Sequence, residues 1–280
     1  MMPVRLGAVG YLNARPLIVG LDRAPRFRLR CDVPSECARL LHAGEIDLGL
    51  IPSIEYLRGE SYRIAPDLAI ASRGPVASVA LFTTRPMPDV RSIVMDTSSR
   101  TSVALVRVLC ARLFKIAPAI EAHRPDLNAM LARGDAALII GDKALVWDPE
   151  TDMVRRKPDF DMVRRKPDFI VQKIDLGEAW TSMTGLPFVW AFWAGRAGVL
   201  TGGDVAALQA ARDAGVKHSE AIAREYFRDA PQHRDLGARY LRDNIKYYLG
   251  NEEREGLELF YRYAAEIGVV PAAGDLHFYS

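Results

Sequence analysis

The sequence predicts an α/β protein of two lobes that enclose a central cleft. Short apolar runs alternate with helical patterns along much of the chain, which is typical of βαβ units and a mainly parallel sheet. A helix followed by a returning strand occurs twice with similar residues, at 43–52 and at 132–141, which indicates two lobes of like construction. A chain of 280 residues is long enough for both. Clefts between lobes are common ligand sites, so we expect the functional site there.

The first strand covers residues 4–9, and a turn leads from it to a helix start at Pro16. Ligands of open α/β sheets bind just past the carboxyl ends of the strands. Tyr11, Asn13 and Arg15 therefore lie where a ligand is expected. The alternative is an ordinary strand-to-helix turn, with Asn13 as a helix cap and Arg15 as a brace.

The rest of the first lobe follows the same alternation of strand and helix. Residues 27–33 alternate apolar and polar and predict a second strand, and Pro34 opens a helix that ends near Gly44. Residues 46–52 then return as a strand, and 53–57 begin another helix. A further strand is predicted at 77–84.

The second lobe is predicted to begin after residue 84, because two prolines interrupt the pattern there. It contains a strand at 93–95, helices at 103–114 and 126–131, and a returning strand at 136–142.

An aromatic-rich strand at 188–194 is interpreted as the crossing back to the first lobe, and helical periodicity continues from 203. The predicted lobes are thus 1–84 with 194–280, and 85–193.

A run of hydroxyl residues precedes the helix predicted at 103–114. Its candidate ligand groups are Ser98, Ser99, Arg100, Thr101 and Ser102. Free N–H groups and the dipole at a helix start favour a carboxylate or phosphate, and a guanidinium pairs with a carboxylate. The glycine spacing of a dinucleotide or P-loop site is missing, which favours a small acid. The alternative is simple helix capping with a solvated Arg100.

Few other residues suggest chemistry. Ser78 begins the strand at 77–84 and is either a ligand donor or a turn residue. Asp47 and Asp142 hold related places in the two similar strands, as an acid or base or as helix caps. Trp190 is interpreted as core, although it could reach the cleft. The histidines form no recognisable triad or metal motif, so neither a metal nor a cofactor is expected.

Bulk properties exclude several classes of protein. The net charge of +2 gives no argument for nucleic acid or a membrane surface as a partner. No apolar run reaches the length of a membrane helix, and the chain opens without the pattern of a signal peptide. An odd count of three cysteines without a C-x-x-C pair fits a reducing compartment, so a cytoplasmic protein is expected.

Residues 152–169 contain a perfect tandem copy of nine residues. Its Arg-Arg-Lys cluster could mark a nucleic-acid patch, but nothing else in the chain supports that interpretation. We interpret the segment as a surface insertion.

Five segments together resemble the chorismate dehydratases of the futalosine route to menaquinone, the MqnA family. They occur in order at 9–17, 44–53, 74–78, 98–102 and 175–188. The duplicated insert departs from the family pattern. A sister family, the dihydroxynaphthoate synthases, opens with a Ser-Pro-Cys-Pro-Asn-Asp motif that is absent here.

The resemblance implies a type II periplasmic-binding-protein fold used as a cytoplasmic enzyme. It implies loss of water from chorismate, a dicarboxylate, to give 3-[(1-carboxyvinyl)oxy]benzoate. By resemblance Asn13 and Ser78 hold the substrate and its leaving hydroxyl. Tyr11, Arg15, Ser53, Asp142 and the 98–102 run are the further expected substrate contacts.

The reaction removes a proton from the ring carbon that bears the ether and hydroxide from its neighbour. An asparagine amide is no base, and the sequence shows no obvious one, so we expect a carboxylate of the substrate to serve. The competing class is a non-catalytic receptor or sensor for a small acid, because fold alone does not give function.

Overall fold

The computed structural model describes residues 2–148 and 172–280. The duplicated insert at 152–169 lies outside the described residues. The described strands are β1 (Val4–Val9), β2 (Phe27–Asp32), β3 (Leu48–Pro52), β4 (Tyr62–Ser72), β5 (Val79–Thr83), β6 (Ser92–Asp96), β7 (Ala119–His123), β8 (Ala136–Ile140), β9 (Gln172–Asp175) and β10 (Phe188–Arg196).

These strands form two mixed sheets of five strands each. The first has the order β2-β1-β3-β10-β4, with β1 parallel to β2 and β3, and β10 antiparallel to β3 and β4. The second has the order β7-β6-β8-β5-β9, with β6 parallel to β7 and β8, and β5 antiparallel to β8 and β9. The two orders correspond strand for strand in direction, so the predicted α/β architecture of two lobes is confirmed.

Helices flank both sheets. The α-helices of the described residues are α1 (Pro34–His42), α2 (Arg100–Leu109), α3 (Leu127–Leu131), α4 (Asp142–Leu145), α5 (Leu176–Thr184), α6 (Gly202–Val216), α7 (Ser219–Tyr226), α8 (Arg234–Arg239) and α9 (Asn251–Glu266). None of them is both long and apolar enough to pass through a bilayer.

Local sequence explains where the main elements begin and end. Pro34 starts α1, and Gly44, at a φ of +72°, follows its end in a backbone region that favours glycine. Asp175 caps α5, and Gly185 ends it at a φ of +75°. Every residue of β3, β5 and β8 is buried, as expected for central strands covered on both faces.

Three strands escape sequence prediction. β4 is interrupted by a proline, by Asp67 at a φ of +60° and by register shifts against β10. β7 is an edge strand with largely exposed side chains, and β9 has four residues. β7 and β9 lack the apolar pattern on which strand prediction depends, and in β4 that pattern is broken at Pro66 and Asp67.

Several predicted elements have other bounds or forms. The helix expected from Pro16 is a 3-10 helix at Leu12–Ile18, and the segment that begins at Ser53 is a 3-10 helix to Arg58. α2 begins at Arg100 because Ser99 caps it, and it continues as a π-helical turn at Cys110–Phe114. The helical pattern that is expected from residue 203 onward is interrupted after a second π-helical turn, Tyr240–Asn244.

The positions of the crossings between the sheets differ from those predicted. Boundaries at residues 84 and 193 assign β5 to the first lobe and most of β10 to the second, but strand pairing places β5 in the second sheet and β10 in the first. The prolines near 84–88 belong to a short 3-10 turn, Met87–Asp89, and not to a crossing. We propose crossings at 73–78 and 185–187, where the chain leaves one sheet for the other.

Candidate active site

A cavity lies between the two sheets, at the carboxyl ends of β1, β3 and β8 and at the start of α2. Its empty volume, counted together with its opening to solvent, is about 470 Å³. Its polar lining side chains are Tyr11, Asn13, Ser78, Ser99, Ser102 and Trp190, and the rest of the lining is mainly apolar. This lining suits a small molecule with a few polar groups.

Asn13 and Ser78 meet around the buried hydroxyl of Tyr240. The Oγ of Ser78 lies 2.7 Å from the Oη of Tyr240, and Ser78 is only 1% exposed. Asn13 lies near the same hydroxyl and lowers the pKa of Tyr240, although burial outweighs this effect and raises it. Among the described residues the Oδ1 of Asn13 is buried without a hydrogen-bond partner. Since buried polar atoms are nearly always paired, this oxygen is suited to receive a ligand group.

A strained turn presents Ser78 to the cavity. Ala77 has a φ of +61°, a region that costs a non-glycine residue about 1–2 kcal/mol. The carboxylate of Asp175 holds the turn by accepting the N–H groups of Val76 at 3.0 Å and Ala77 at 2.6 Å. The carbonyl of Ser78 accepts the N–H of Gly141 at 2.8 Å. The serine is therefore fixed by backbone contacts to residues far away in sequence.

The start of α2 forms one wall of the cavity. The Oγ of Ser99 caps the helix by accepting the N–H of Ser102 at 3.4 Å and lies 3.1 Å from its hydroxyl. Both serines line the cavity. Next to them the hydroxyls of Tyr11 and Ser98 lie 3.4 Å apart, and burial raises the pKa of Tyr11. Hydroxyl donors at a helix N-terminus suit a carboxylate.

Ser53 and Thr101 lie behind this wall and not in it. The hydroxyl of Ser53 donates to the carbonyl of Val189 at 2.8 Å, and Thr101 Oγ1 accepts the N–H of Ile54 at 3.2 Å. Both side chains are fully buried, and neither lines the cavity. They join the two lobes next to the site.

The arginines expected to meet a carboxylate do not line the cavity. Arg100 contacts the buried Glu55 at 3.1 Å on the outer side of α2. Arg15 donates to the carbonyl of Gly10 at 3.4 Å and lies over the ring of Tyr226. No basic side chain is part of the cavity lining among the described residues. The protein supplies neutral donors there.

Asp142 also lies outside the lining and bridges the lobes. It is the first residue of α4, and its carboxylate accepts the hydroxyl of Tyr226 at 2.5 Å and the N–H of Leu12 at 3.3 Å. Burial raises its pKa, although these two hydrogen bonds oppose that shift. Asp47 is paired with Arg5 on the surface at 2.6 Å and has no link to the cavity.

Sequence reasoning missed Tyr240 and Asp175 as parts of the site. Asp175 precedes a helix and carries the pattern of a cap, but its contact with Ala77 depends on the crossing of the chain. Tyr240 carries no local signal at all. Trp190 does line the cavity, and its Nε1 donates to Ser72 Oγ at 3.1 Å. Within the described residues no three His, Cys, Asp or Glu side chains could together hold a metal ion.

Solved structures with similar folds include periplasmic binding proteins. A protein from Archaeoglobus fulgidus superposes with a TM-score of 0.70 at 15% identity, covering 96% of this chain and 99% of its own. The periplasmic aliphatic sulphonate binding protein SsuA from Escherichia coli gives a TM-score of 0.67 at 15% identity, with 99% and 96% covered. At such identities the likeness confirms the periplasmic-binding-protein-like fold and nothing more.

Sequence comparison is more specific. A family model described as menaquinone biosynthesis matches residues 4–266. A chorismate dehydratase from Thermus thermophilus is 33% identical over 262 residues, which are 93% of this chain and 94% of that protein. The match extends across both sheets and every wall of the cavity. The chain therefore belongs to the menaquinone-biosynthesis family that includes chorismate dehydratase.

Proposed function

We propose that the cavity binds chorismate and catalyses its dehydration to 3-[(1-carboxyvinyl)oxy]benzoate. The activity is supported by the family match and by the relative that is 33% identical. The observation that carries the assignment of the site is the meeting of Asn13 and Ser78 on one cavity wall, around one buried tyrosine hydroxyl. A free acceptor beside a hydroxyl donor matches the leaving hydroxyl of the substrate, which is itself donor and acceptor.

The start of α2 receives a carboxylate of the substrate. Ser99 and Ser102 line the cavity there, and the helix dipole favours an anion. Tyr11 and Ser98 border this position, with their hydroxyls 3.4 Å apart. The largely apolar remainder, including Trp190, packs on the faces of the ring.

The base is a carboxylate of the substrate itself. The described lining contains no carboxylate, imidazole or amine side chain, and an asparagine amide does not accept a proton at neutral pH. The substrate carboxylate takes the proton from the ring carbon that bears the ether, and the C–O bond to the hydroxyl on the neighbouring carbon breaks. The carboxylic acid so formed returns the proton to the departing hydroxide, which leaves as water. Aromatisation of the ring drives the step, so positioning supplies much of the catalysis.

Turnover tests the proposal directly. The purified protein is incubated with chorismate, the ultraviolet spectrum is followed for a new benzoate, and the product mass is measured. We expect chorismate to be consumed with loss of one water. Tight binding of chorismate without a spectral change would contradict the enzyme and favour a small-acid receptor, the class to which the structurally similar sulphonate binding protein belongs.

Two substitutions test the assigned residues. Asn13→Ala and Ser78→Ala each remove a group from the cavity, and we expect each to lower kcat by about 10²–10³-fold, as for removal of one donor to developing charge. The matched control is Ser219→Ala, a buried serine on α7 whose hydroxyl donates to the carbonyl of Val216 at 3.3 Å. Near-normal turnover in both site variants would refute their roles.

We propose a cytoplasmic location, which three free cysteines support. Cys31, Cys37 and Cys110 form no disulfide. Free thiols are typical of reducing compartments. The protein is extracted from its own cells without reductant, unfolded in denaturant and treated with a thiol reagent, and we expect three thiols to react. Fewer than three reactive thiols would contradict this proposal.

A further inference from the structure

Tyr240 lies directly behind the two residues assigned to the substrate. It begins a π-helical turn, Tyr240–Asn244, an irregular form that is frequent at functional sites. Its ring is 2% exposed, and it is absent from the cavity lining. The hydroxyl nevertheless lies 2.7 Å from the Oγ of Ser78 and near the side chain of Asn13. Tyr240 is therefore placed to act through these residues and not on the substrate.

The direction of the hydrogen bond between Tyr240 and Ser78 follows from the surroundings of the two hydroxyls. The O–H of Tyr240 is buried and needs an acceptor, and among the described contacts the only acceptor is the Oγ of Ser78.

This order fixes what faces the cavity. Because Ser78 Oγ accepts from Tyr240, its own proton is left free to donate into the cavity that it lines. The Oδ1 of Asn13, which also lines the cavity, has no partner among the described residues and is left as an acceptor. The wall thus presents one donor and one acceptor side by side.

We infer that Tyr240 is a positioning residue that sets Ser78 as the donor to the leaving hydroxyl of the substrate, beside Asn13 as the acceptor from it. The inference rests on the proposed function. As the C–O bond breaks, negative charge grows on the departing oxygen, and a pre-oriented O–H is worth most at that moment. Tyr240 transfers no proton in this step. Burial raises its pKa, so the phenol stays neutral and keeps its proton near neutral pH.

The test is Tyr240→Phe, which keeps the ring and removes the hydroxyl. Without it Ser78 is free to turn its proton toward other groups. We expect kcat for chorismate to fall about 10–100-fold, while KM changes less than about threefold, because the lost orientation matters mainly in the transition state. The matched control is Tyr279→Phe, a buried tyrosine whose hydroxyl donates to the carbonyl of Arg196 at 2.6 Å, away from the cavity.

A double-mutant cycle separates positioning from stability. If Tyr240 acts through Ser78, adding Tyr240→Phe to Ser78→Ala should lower kcat by less than about twofold further. Full multiplication of the two effects would overturn the inference, as would a Tyr240→Phe enzyme with wild-type kcat. A crystal structure of Tyr240→Phe should show a changed Ser78 rotamer; an unchanged Ser78 with unchanged kcat is again contradictory.

Two further outcomes remain distinguishable. A wild-type protein that does not convert chorismate refutes the proposed function, whereas an active wild type with an equally active Tyr240→Phe refutes only the role of Tyr240. If Tyr240→Phe does not fold, 3-fluorotyrosine at position 240 keeps ring and hydroxyl and changes only the strength of the donor. An altered kcat is then expected, and an unaltered kcat counts against the inference.

Discussion

At the scale of the residue, one carboxylate organises the turn that presents Ser78. Asp175 accepts four backbone N–H groups, two in the crossing segment and two at the start of α5. Their donors are Val76, Ala77, Gly177 and Glu178, at 2.6–3.1 Å. A side chain chosen to cap a helix thus also holds the strained Ala77 in place. The position of Ser78 therefore depends on residues of the second sheet and of α5.

Asp175→Asn should reduce both stability and turnover. An amide in place of the carboxylate turns one acceptor into a donor that faces N–H groups, so we expect a loss of about 1–3 kcal/mol and a kcat at least tenfold lower as Ser78 shifts. Urea unfolding and chorismate turnover measure the two effects. Asp126→Asn is the control, since the side chain of Asp126 caps α3 through the N–H of Ala129 at 3.0 Å, its one hydrogen bond among the described residues. Equal effects on turnover would contradict the role given to Asp175.

The sequence predicts Asn13 and Ser78 as a pair, because each belongs to a short segment that resembles the family. It does not predict the direction of Arg15 and Arg100. A guanidinium turns toward whichever partner the fold provides, and those partners, the ring of Tyr226 and the carboxylate of Glu55, lie far away in the chain. Charge and spacing alone therefore predict basic side chains in the cavity, whereas the described lining contains none.

At the scale of the element, the junction of β8 and α4 depends on Gly141. Its φ is +69°, and an added Cβ would lie 3.0–3.1 Å from the ring of Tyr11. Its N–H also donates to the carbonyl of Ser78 at 2.8 Å. This one residue brings a strand end, a helix start and the cavity wall close together.

Gly141→Ala should therefore lower the stability of the protein and also raise KM. The backbone strain and the contact with Tyr11 predict a loss of about 1–3 kcal/mol and a higher KM, because the methyl group pushes the tyrosine ring at the cavity. Gly198→Ala is the control, at a similar φ of +78° but with no atom within 4 Å of the added Cβ. Thermal unfolding and KM separate the effects: both variants should lose stability, and only Gly141→Ala should change KM.

The start of α6 predicts a dependence of stability on pH. Arg26 pairs with Asp204 at 2.7 Å, and Thr201 shares a capping box with the same carboxylate. The hydrogen bond from Arg26 holds the pKa of Asp204 well below its ordinary value of 3.8. A carboxyl with a depressed native pKa adds stability above its unfolded pKa and loses it as the pH falls toward the native value.

Asp204→Asn should accordingly lower the free energy of unfolding by about 2 kcal/mol at pH 7. The gap between the variant and the wild type should narrow below about pH 4. Thermal unfolding at several pH values measures this gap in stability. The control is Asp126→Asn, which changes a helix cap without an arginine partner among the described residues. A gap that stays constant down to pH 2 would mean that the ion pair contributes nothing.

Elements with strong periodicity or clear caps are predictable from this sequence, and those that depend on neighbours are not. β1, β3 and β8 are apolar runs between turn signals, and the structure has each of them. β4 and β7 exist because a partner strand offers its edge, which leaves little trace in their own residues. The positions of the two π-helical turns likewise depend on packing and not on composition.

At the scale of the whole molecule, several contacts hold the two lobes together around the cavity. Asp142 of the second lobe accepts from Tyr226 and Leu12 of the first, and Glu55 of the first pairs with Arg100 of the second. The cavity is therefore bounded by groups that are engaged with one another.

Tyr226→Phe should weaken the contact between the two lobes, whose joined form is here called the closed form. It removes the 2.5 Å hydrogen bond to Asp142 and keeps the ring under Arg15. If the closed form binds substrate, a smaller closed population raises the apparent Kd in proportion. We expect KM to rise about 3–10-fold with kcat changed less than twofold, measured by steady-state kinetics. A lower kcat at constant KM would place Tyr226 in the chemistry instead.

The two-lobe architecture is the part of the structure that the sequence predicts best. The similar segments at 43–52 and 132–141 contain β3 and β8, which hold the central position of the first and second sheet. The crossings between the lobes are less predictable, because prolines interrupt a pattern whether they lie between lobes or within one.

The location of Ser78 at a crossing has a consequence for timing. Asn13 belongs to the first lobe. The segment around Ser78 is held by the second lobe: Gly141 donates to the carbonyl of Ser78, and Asp175 accepts the N–H of Ala77. A rotation of the second sheet that carried Ser78 with it would separate the donor from the acceptor. Water loss would then be confined to the molecule in which the two lobes meet around the substrate. A molecule that wedges the lobes apart would occupy the protein without being turned over.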